Sequence, residues 1–312
     1  MTHLRRLQDA NLDADSLLSI GVFDGVHLGH QQLIQRLVEH ARASGRVAIV
    51  LSFHPHPDKV LDQVKTRYYL TTPDQRAELL LQLGVDIVIT HPFDDETQHL
   101  PAIEFIDRLV KHLRLKELWV GADFALGFQR EGDVGYLRAQ GEKRGFKVNA
   151  MDLIAAKASD EFIRSSTARD HVRKGNMRAA TAMLGRAYRL EGTVIAGQQR
   201  GRAIGVPTAN LAVWSEQIIP ANGVYATWAR LGSETFPAAT NIGQRPTFAG
   251  GDVTIEAHLL DFDRDIYGER LELSFVGRLR PERKFGGFEE LVTQIQADIA
   301  ATRRSLRIDQ PG

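Results

Sequence analysis

The chain has 312 residues, 43% hydrophobic and 25% charged, the balance of a globular protein long enough for two domains. Its 39 basic and 39 acidic residues cancel, which argues against wholesale capture by nucleic acid or an anionic membrane. Cysteine is absent, which removes disulfides and thiolate chemistry, and no apolar run approaches the ~20 residues of a membrane span. The first twenty residues lack a signal-like apolar core. The expectation is a soluble intracellular enzyme or binding protein, cytoplasmic, with no nucleic-acid or membrane partner.

In chain order, residues 17–21 form a short apolar run, and 31–43 place Leu33, Ile34, Leu37, Val38 and Ala41 at helical spacing. Residues 47–53 are a continuous β-branched and apolar run, as in a strand buried on both faces. Thr72-Pro73 supplies a cap and a first-turn proline for a helix that Gly84 closes. Strand 85–90, helix 102–113, strand 117–120, helix 134–144 and strand 146–151 follow. Such alternation predicts βαβ units and a parallel sheet with helices on both faces, an α/β, Rossmann-like domain. After residue 185 the pattern changes to strands at 188–195, 223–230, 235–241, 253–262 and 270–276, joined by Gly, Pro and Asn turns. This predicts an antiparallel sheet or a small closed β-barrel. A terminal helix at 288–306 carries Leu291, Ile295, Ile299 and Leu306 on one stripe. The boundary falls near 183–187, giving domains 1–184 and 185–312.

The segment from Gly21 to His30 follows the first strand and opens the first helix, with glycines at 21, 25 and 29. A helix N-terminus presents free N–H groups and partial positive charge, which suit phosphate. His27 and His30 are three apart and share one helical face, where imidazoles can donate to phosphate oxygens. A structural or metal-binding histidine pair is the alternative. The glycine pattern is neither G-x-G-x-x-G nor a Walker loop.

Phe23-Asp-Gly-Val-His-Leu-Gly-His30 resembles the H-x-G-H signature of nucleotidylyltransferases. In its long form it is similar to the adenylyltransferase module of bacterial bifunctional riboflavin kinase/FAD synthetases. The resemblance continues through Phe53-His-Pro-His-Pro57, Leu70-Thr-Thr72, Pro92-Phe-Asp94, Gly121-Ala-Asp-Phe124, Arg130-Glu-Gly-Asp133 and Ser165-Ser-Thr167. It implies that His27 and His30 steady the phosphates of ATP, that Phe23, Asp24 and Gly25 line the nucleotide site, and that Asp123 sits by metal and phosphates. It further implies that Ser166 and Thr167 hold phosphate at a helix start. The family places an arginine three residues after that threonine; here Arg169 follows at two, so Arg169 and Arg164 are both candidates for the pyrophosphate.

In the second half, Gln198-Gln-Arg-Gly-Arg-Ala-Ile-Gly-Val-Pro-Thr-Ala-Asn210 reads as a flexible loop followed by a stiff turn. A threonine hydroxyl and an asparagine amide oxygen, Thr208 and Asn210, suit Mg²⁺, and Arg200 and Arg202 add positive charge. A plain Asx-type turn is the alternative. Within the strand at 253–262, Thr254, Glu256 and His258 share one face. A carboxylate there can take the proton of an alcohol attacking a γ-phosphate; a solvated exterior glutamate is the alternative. Gly205-Val-Pro-Thr-Ala-Asn-Leu211 resembles the core motif of riboflavin kinase, and Glu256 matches that family's catalytic glutamate. The resemblance implies that Gly201, Gly205, Thr208 and Asn210 engage Mg·ATP, with riboflavin and FMN as the other substrates. The activity it implies is phosphorylation of riboflavin to FMN and adenylylation of FMN to FAD; a riboflavin kinase with an impaired adenylyltransferase domain is the alternative.

Overall fold

A computed structural model describes residues 1–61, 64, 66–152, 162–197, 205–244 and 253–307. The chain divides into two compact units, Met1–Ser165 and Ser166–Gly312.

The first unit begins with β1 (Thr2–Leu4), β2 (Ser16–Ile20), α1 (Leu28–Ala43), β3 (Val47–His54), the single-turn α2 (Pro57–Leu61), α3 (Pro73–Gln82) and β4 (Ile87–Pro92). It continues with α4 (Asp95–His99), α5 (Ala102–Leu113), β5 (Leu115–Gly121), a small ribbon of β6 (Ala125–Leu126) and β7 (Gly132–Asp133), then α6 (Val134–Arg144) and β8 (Lys147–Met151). Six strands make one parallel sheet in the order β1-β4-β3-β2-β5-β8. Every residue of β2 is buried, and the two serines that interrupt its apolar run are satisfied: Ser16 donates to the Leu113 carbonyl at 2.6 Å and Ser19 to that of Trp119 at 2.7 Å. One core, with Leu18, Ile49, Phe105 and Leu109, fills one face of the sheet, and another, with Leu17, Ile34, Leu37 and Leu80, fills the other. The alternation in the sequence reflects this two-sided burial. Thr72 and Gln75 form the capping box that starts α3.

The strand order reverses at β2. From there the chain runs outward to β3 and β4 on one side, and later to β5 and β8 on the other. This is a topological switch point, and the crevice outside the carboxyl ends of β2 and β5 is where such sheets hold ligands.

The second unit holds α7 (Ser165–Arg173), whose first residue is the junction, then α8 (Met177–Leu184), β9 (Tyr188–Ile195), β10 (Ala209–Val213), β11 (Gly223–Leu231), β12 (Glu234–Gln244), β13 (Val253–Leu259), β14 (Arg270–Pro281) and α9 (Phe288–Leu306). Compactness groups α7 and α8 with the barrel because α8 packs on β9 and β14. The six strands close antiparallel in the order β10-β13-β12-β11-β14-β9. The interior is solid: Tyr225 and Phe275 meet edge to face at 5.4 Å, and Thr227 and Thr240 pair their hydroxyls at 2.7 Å. The terminal helix α9 lies on β11, β12 and β14, fastened by a bidentate Arg280–Asp298 pair at 2.7–2.9 Å.

One expectation is corrected here. Ala209 and Asn210, read from the sequence as part of a turn, open the strand β10 and pair with Ala257 and Glu256. The barrel needs a strand between β9 and β13 to close, and that tertiary demand overrides the local turn chemistry of Pro207 and Asn210.

Candidate functional site

A cavity of about 840 Å³ opens at the switch point of the first unit. That is ample for a nucleotide with a second aromatic ligand. Ile20 and Gly21 line it from the end of β2, and Gly121 and Asp123 from the end of β5. Phe53, Phe93, Leu100 and Phe105 form an apolar wall, and the helix start with His27 and His30 forms a polar one.

His27 is the N-cap of α1: its Nδ1 accepts the backbone N–H of His30 at 3.3 Å. With Nδ1 accepting, the ring proton sits on Nε2. The two imidazoles stack with centroids 3.6 Å apart and planes 17° from parallel. Phe23, buried and with φ of 53°, sets its ring edge-on to His30 at 5.1 Å. Gly21 packs closely beside it: a Cβ there would lie 3.0 Å from the Phe23 ring, so the ring would have to shift by a few tenths of an ångström. The stretch from 21 to 30 thus builds a donor pair on a helix N-terminus.

Of the residues expected in the nucleotide site, Phe23, His27, His30 and Asp123 line the cavity. Asp24 is 1% exposed and its carboxylate is directed into the protein. It accepts from Leu70 N–H with both oxygens at 3.0 Å, and from Thr71 N–H and hydroxyl at 3.1 and 3.2 Å. Gly25 N–H in turn donates to the Thr71 hydroxyl at 3.2 Å. These two residues latch the histidine loop to the start of α3. Arg76, buried on α3, has its pKa lowered by desolvation, partly offset by attraction to Asp24. Arg164 and Ser165 line the cavity, and the Ser165 hydroxyl donates to the Asp24 carbonyl at 2.9 Å. Ser166, Thr167 and Arg169 belong to the second unit, where Arg169 is buried on α7.

The resemblance reaches Arg130-Glu-Gly-Asp133 without giving it a role; sequence reasoning missed that the loop between β6 and β7 brings Phe128, Gln129 and Arg130 to the cavity. Gln129 and Arg130 are both left-handed, with φ of 52° and 61°, and Arg130 donates to the Asp123 carbonyl at 2.9 Å. The loop is pinned to α5 by Phe128 N–H on the Leu100 carbonyl and by Glu131 on Ala102 N–H. Gly127 permits this approach: its φ is +79° and a Cβ there would lie 2.6 Å from Ala102. The available signal was the pair Gly127 and Gly132 bracketing a short turn.

On the barrel, β13 alternates buried Ile255, Ala257 and Leu259 with outward Thr254, Glu256 and His258. Glu256 is paired in register with Asn210 on β10 and with Asn241 on β12. Directly opposed residues share a sheet face, so Asn210, Glu256 and Asn241 form a row on the outer wall. Asn210 is only 7% exposed, and a Cβ at Gly197 would lie 2.1 Å from its amide nitrogen. The backbone therefore closes tightly over this side chain. Gly205 has φ of +73°, and Val206 is buried. Thr208 immediately precedes β10. Gly201, Arg200 and Arg202 lie outside the described residues. Among the described residues, no three or more His, Cys, Asp or Glu side chains gather as a metal site.

Two family models match the chain: "FAD synthetase" over residues 9–167 and "Riboflavin kinase" over 184–306. Proteins named bifunctional riboflavin kinase/FMN adenylyltransferase are similar along nearly the whole chain. The one from Listeria monocytogenes is 38% identical, covering 93% of this chain and 92% of its own. Those from Escherichia coli K12 and Bacillus subtilis are 36% and 34% identical, covering 95% and 91% of this chain and 94% and 90% of theirs. A solved structure described as a macrolide-efflux protein from Streptococcus pneumoniae shares the architecture, with a TM-score of 0.88 and 28% identity over 97% of this chain and 98% of that one. Among the described residues here, no helix is long and apolar enough to cross a membrane.

Proposed function

The chain belongs to the bifunctional riboflavin kinase/FMN adenylyltransferase family, and from that membership we propose how its residues carry out the chemistry. It is a riboflavin kinase and an FMN adenylyltransferase: ATP phosphorylates riboflavin to FMN, and a second ATP adenylylates FMN to FAD with release of pyrophosphate. Because the FAD synthetase match runs through the first unit, the kinase-only alternative is set aside.

In the barrel, Glu256 is the general base. It takes the proton of the ribityl 5′-hydroxyl as that oxygen attacks the γ-phosphorus of ATP and ADP departs. The observation that carries this role is the register: Asn210 and Glu256 are directly opposed on the outer face, so a nucleotide group held by one lies within reach of the other. Thr208, Asn210, Gly201 and Gly205 hold the ATP polyphosphate.

In the α/β unit, an FMN phosphate oxygen attacks the α-phosphorus of ATP and pyrophosphate leaves. No base is needed, because the nucleophile is already anionic. His27 Nε2–H, His30 and the N-terminus of α1 stabilise charge on the phosphates as the bond to pyrophosphate breaks. Phe23 positions His30. Asp24 and Gly25 hold the loop from behind. Arg164 is the stronger candidate for the pyrophosphate, since it lines the cavity. The apolar wall around Phe53 and Phe105 accepts the isoalloxazine ring.

Mg²⁺ fits the donors proposed at both sites. The Thr208 hydroxyl, the Asn210 amide oxygen and the Asp123 carboxylate are hard oxygen ligands, and with so few of them the substrate phosphates and water supply the rest. When bound, the ion neutralises polyphosphate charge. The need for ATP in both reactions supports a cytoplasmic enzyme. The test is direct: purified protein is given riboflavin with ATP, or FMN with ATP, with Mg²⁺ or with chelator. FMN and ADP are expected from the first pair and FAD and pyrophosphate from the second, both lost on chelation. FMN formation without FAD would overturn the two-activity assignment.

A further inference from the structure

His258 stands two residues beyond Glu256 on the same outward row of β13. Its Nδ1 lies 2.8 Å from the carbonyl oxygen of Pro207. A carbonyl only accepts, so the ring donates through Nδ1–H. The reason for a side chain in this place lies in the ladder. β10 and β13 pair at only two positions, Ala209 with Ala257 and Asn210 with Glu256. One step further, the backbone reaches Thr208 and then Pro207, which has no N–H to offer a neighbouring strand. Strand pairing stops there, and the imidazole takes up the carbonyl that the ladder leaves. Burial lowers the His258 pKa, opposed by the Pro207 bond and by Asp261, which favours a neutral ring with its single proton on Nδ1.

We propose that His258 is a positioning residue for the kinase reaction: by holding the Pro207 carbonyl, it fixes Thr208 and Asn210 against the strand that carries Glu256. The nucleotide ligands and the base then move as one piece. His258 touches neither nucleotide nor flavin in this role. The proposal rests on the assignment of riboflavin phosphorylation to the barrel.

The discriminating experiment replaces His258 with Leu, Asn or Gln in the full-length protein and measures steady-state riboflavin phosphorylation. Asn places its amide N–H close to where Nδ1–H was; Gln carries it out to the Nε2 position. His258→Leu should raise KM for ATP about tenfold or more, since small misplacements of binding groups are costly, while KM for riboflavin stays within about twofold. His258→Asn should restore KM for ATP to within about threefold of the parent, and His258→Gln should not. FMN adenylylation should be the same in all four proteins. If His258→Leu fails to fold, as judged by its thermal melt, the Asn and Gln variants decide the matter. Equal KM for ATP in Asn and Gln variants, or an unchanged value in the Leu variant, overturns the proposal. A parent protein that makes no FMN would refute the barrel's assignment itself, and that result is read before any variant.

Discussion

Gly197→Ala tests whether the buried amide of Asn210 belongs to the kinase machinery, without touching Asn210 itself. Gly197 is two residues past Ile195, the β9 partner of Asn210. A methyl group there would lie 2.1 Å from Asn210 Nδ2 and 2.6 Å from its Cγ, whereas real Cβ atoms essentially never approach closer than 3.0 Å. The amide must therefore retreat by about 1 Å, or the end of β9 must yield. Overpacking of this kind costs about 1–3 kcal/mol of stability, which a barrel can survive. The functional cost is larger, because displacing a substrate-positioning group by about 1 Å lowers rates ~100-fold, about 2.7 kcal/mol of transition-state stabilisation. Initial rates of FMN formation from riboflavin and ATP should fall by that order, and FAD formation from FMN should not change. Gly277→Ala is the control: it lies in β14, a Cβ there would meet nothing within 4 Å, and both rates should stay intact. A Gly197→Ala protein that phosphorylates riboflavin within about threefold of the parent would refute the link between Asn210 placement and catalysis.

Glu256→Gln keeps the shape of the side chain but cannot accept the hydroxyl proton; FMN formation should drop at least ~100-fold with FMN-to-FAD conversion retained, and equal loss of both would contradict separate sites. His30→Ala should do the reverse, abolishing pyrophosphate release from FMN and ATP while riboflavin phosphorylation continues. Asp24→Ala strips the acceptor from two backbone N–H groups and a hydroxyl and removes the negative charge that offsets the burial of Arg76, so denaturant unfolding of the first unit should show a loss of about 3–5 kcal/mol. A stable Asp24→Ala protein with raised KM for ATP would instead return that carboxylate to the nucleotide. Thr72→Ala removes one half of the capping box and should cost about 1 kcal/mol in the same assay with little effect on either rate.

The elements legible in the sequence are those whose burial is periodic. Helices 102–113 and 288–306 and strand 188–195 have the expected bounds, because each presents a long enough stripe or run to register over its flanks; helix 134–144 has them too, though its stripe is weak, because the Asp133 cap and left-handed Gly145 mark its ends. The helix at α1 begins at Leu28, three residues before the expected 31, since His27, capping it, carries no hydrophobic signal. β10 was illegible for a different reason. Its first two residues, Ala209 and Asn210, follow a proline and read locally as a turn, and only closure of the ring between β9 and β13 makes them part of a strand.

The same distinction separates the two acidic residues at the switch point. Asp24 sits in the middle of the most recognisable motif of the chain, beside glycines and histidines that reach the cavity, yet its carboxylate is spent on donors 46 and 47 residues away. Asp123, in a plainer context at the end of β5, is the one that faces the cavity. Nothing in residue type or spacing distinguishes them, because both are aspartates a short step past the glycine that ends or follows a parallel strand. What decides is which side of the sheet crevice the loop leading into α3 occupies, a long-range contact. The motif therefore marks where ligand chemistry is built, while the division of its members into those that touch the ligand and those that brace the loop is a property of the packed fold. Asp24→Ala, read by stability against KM, separates the two.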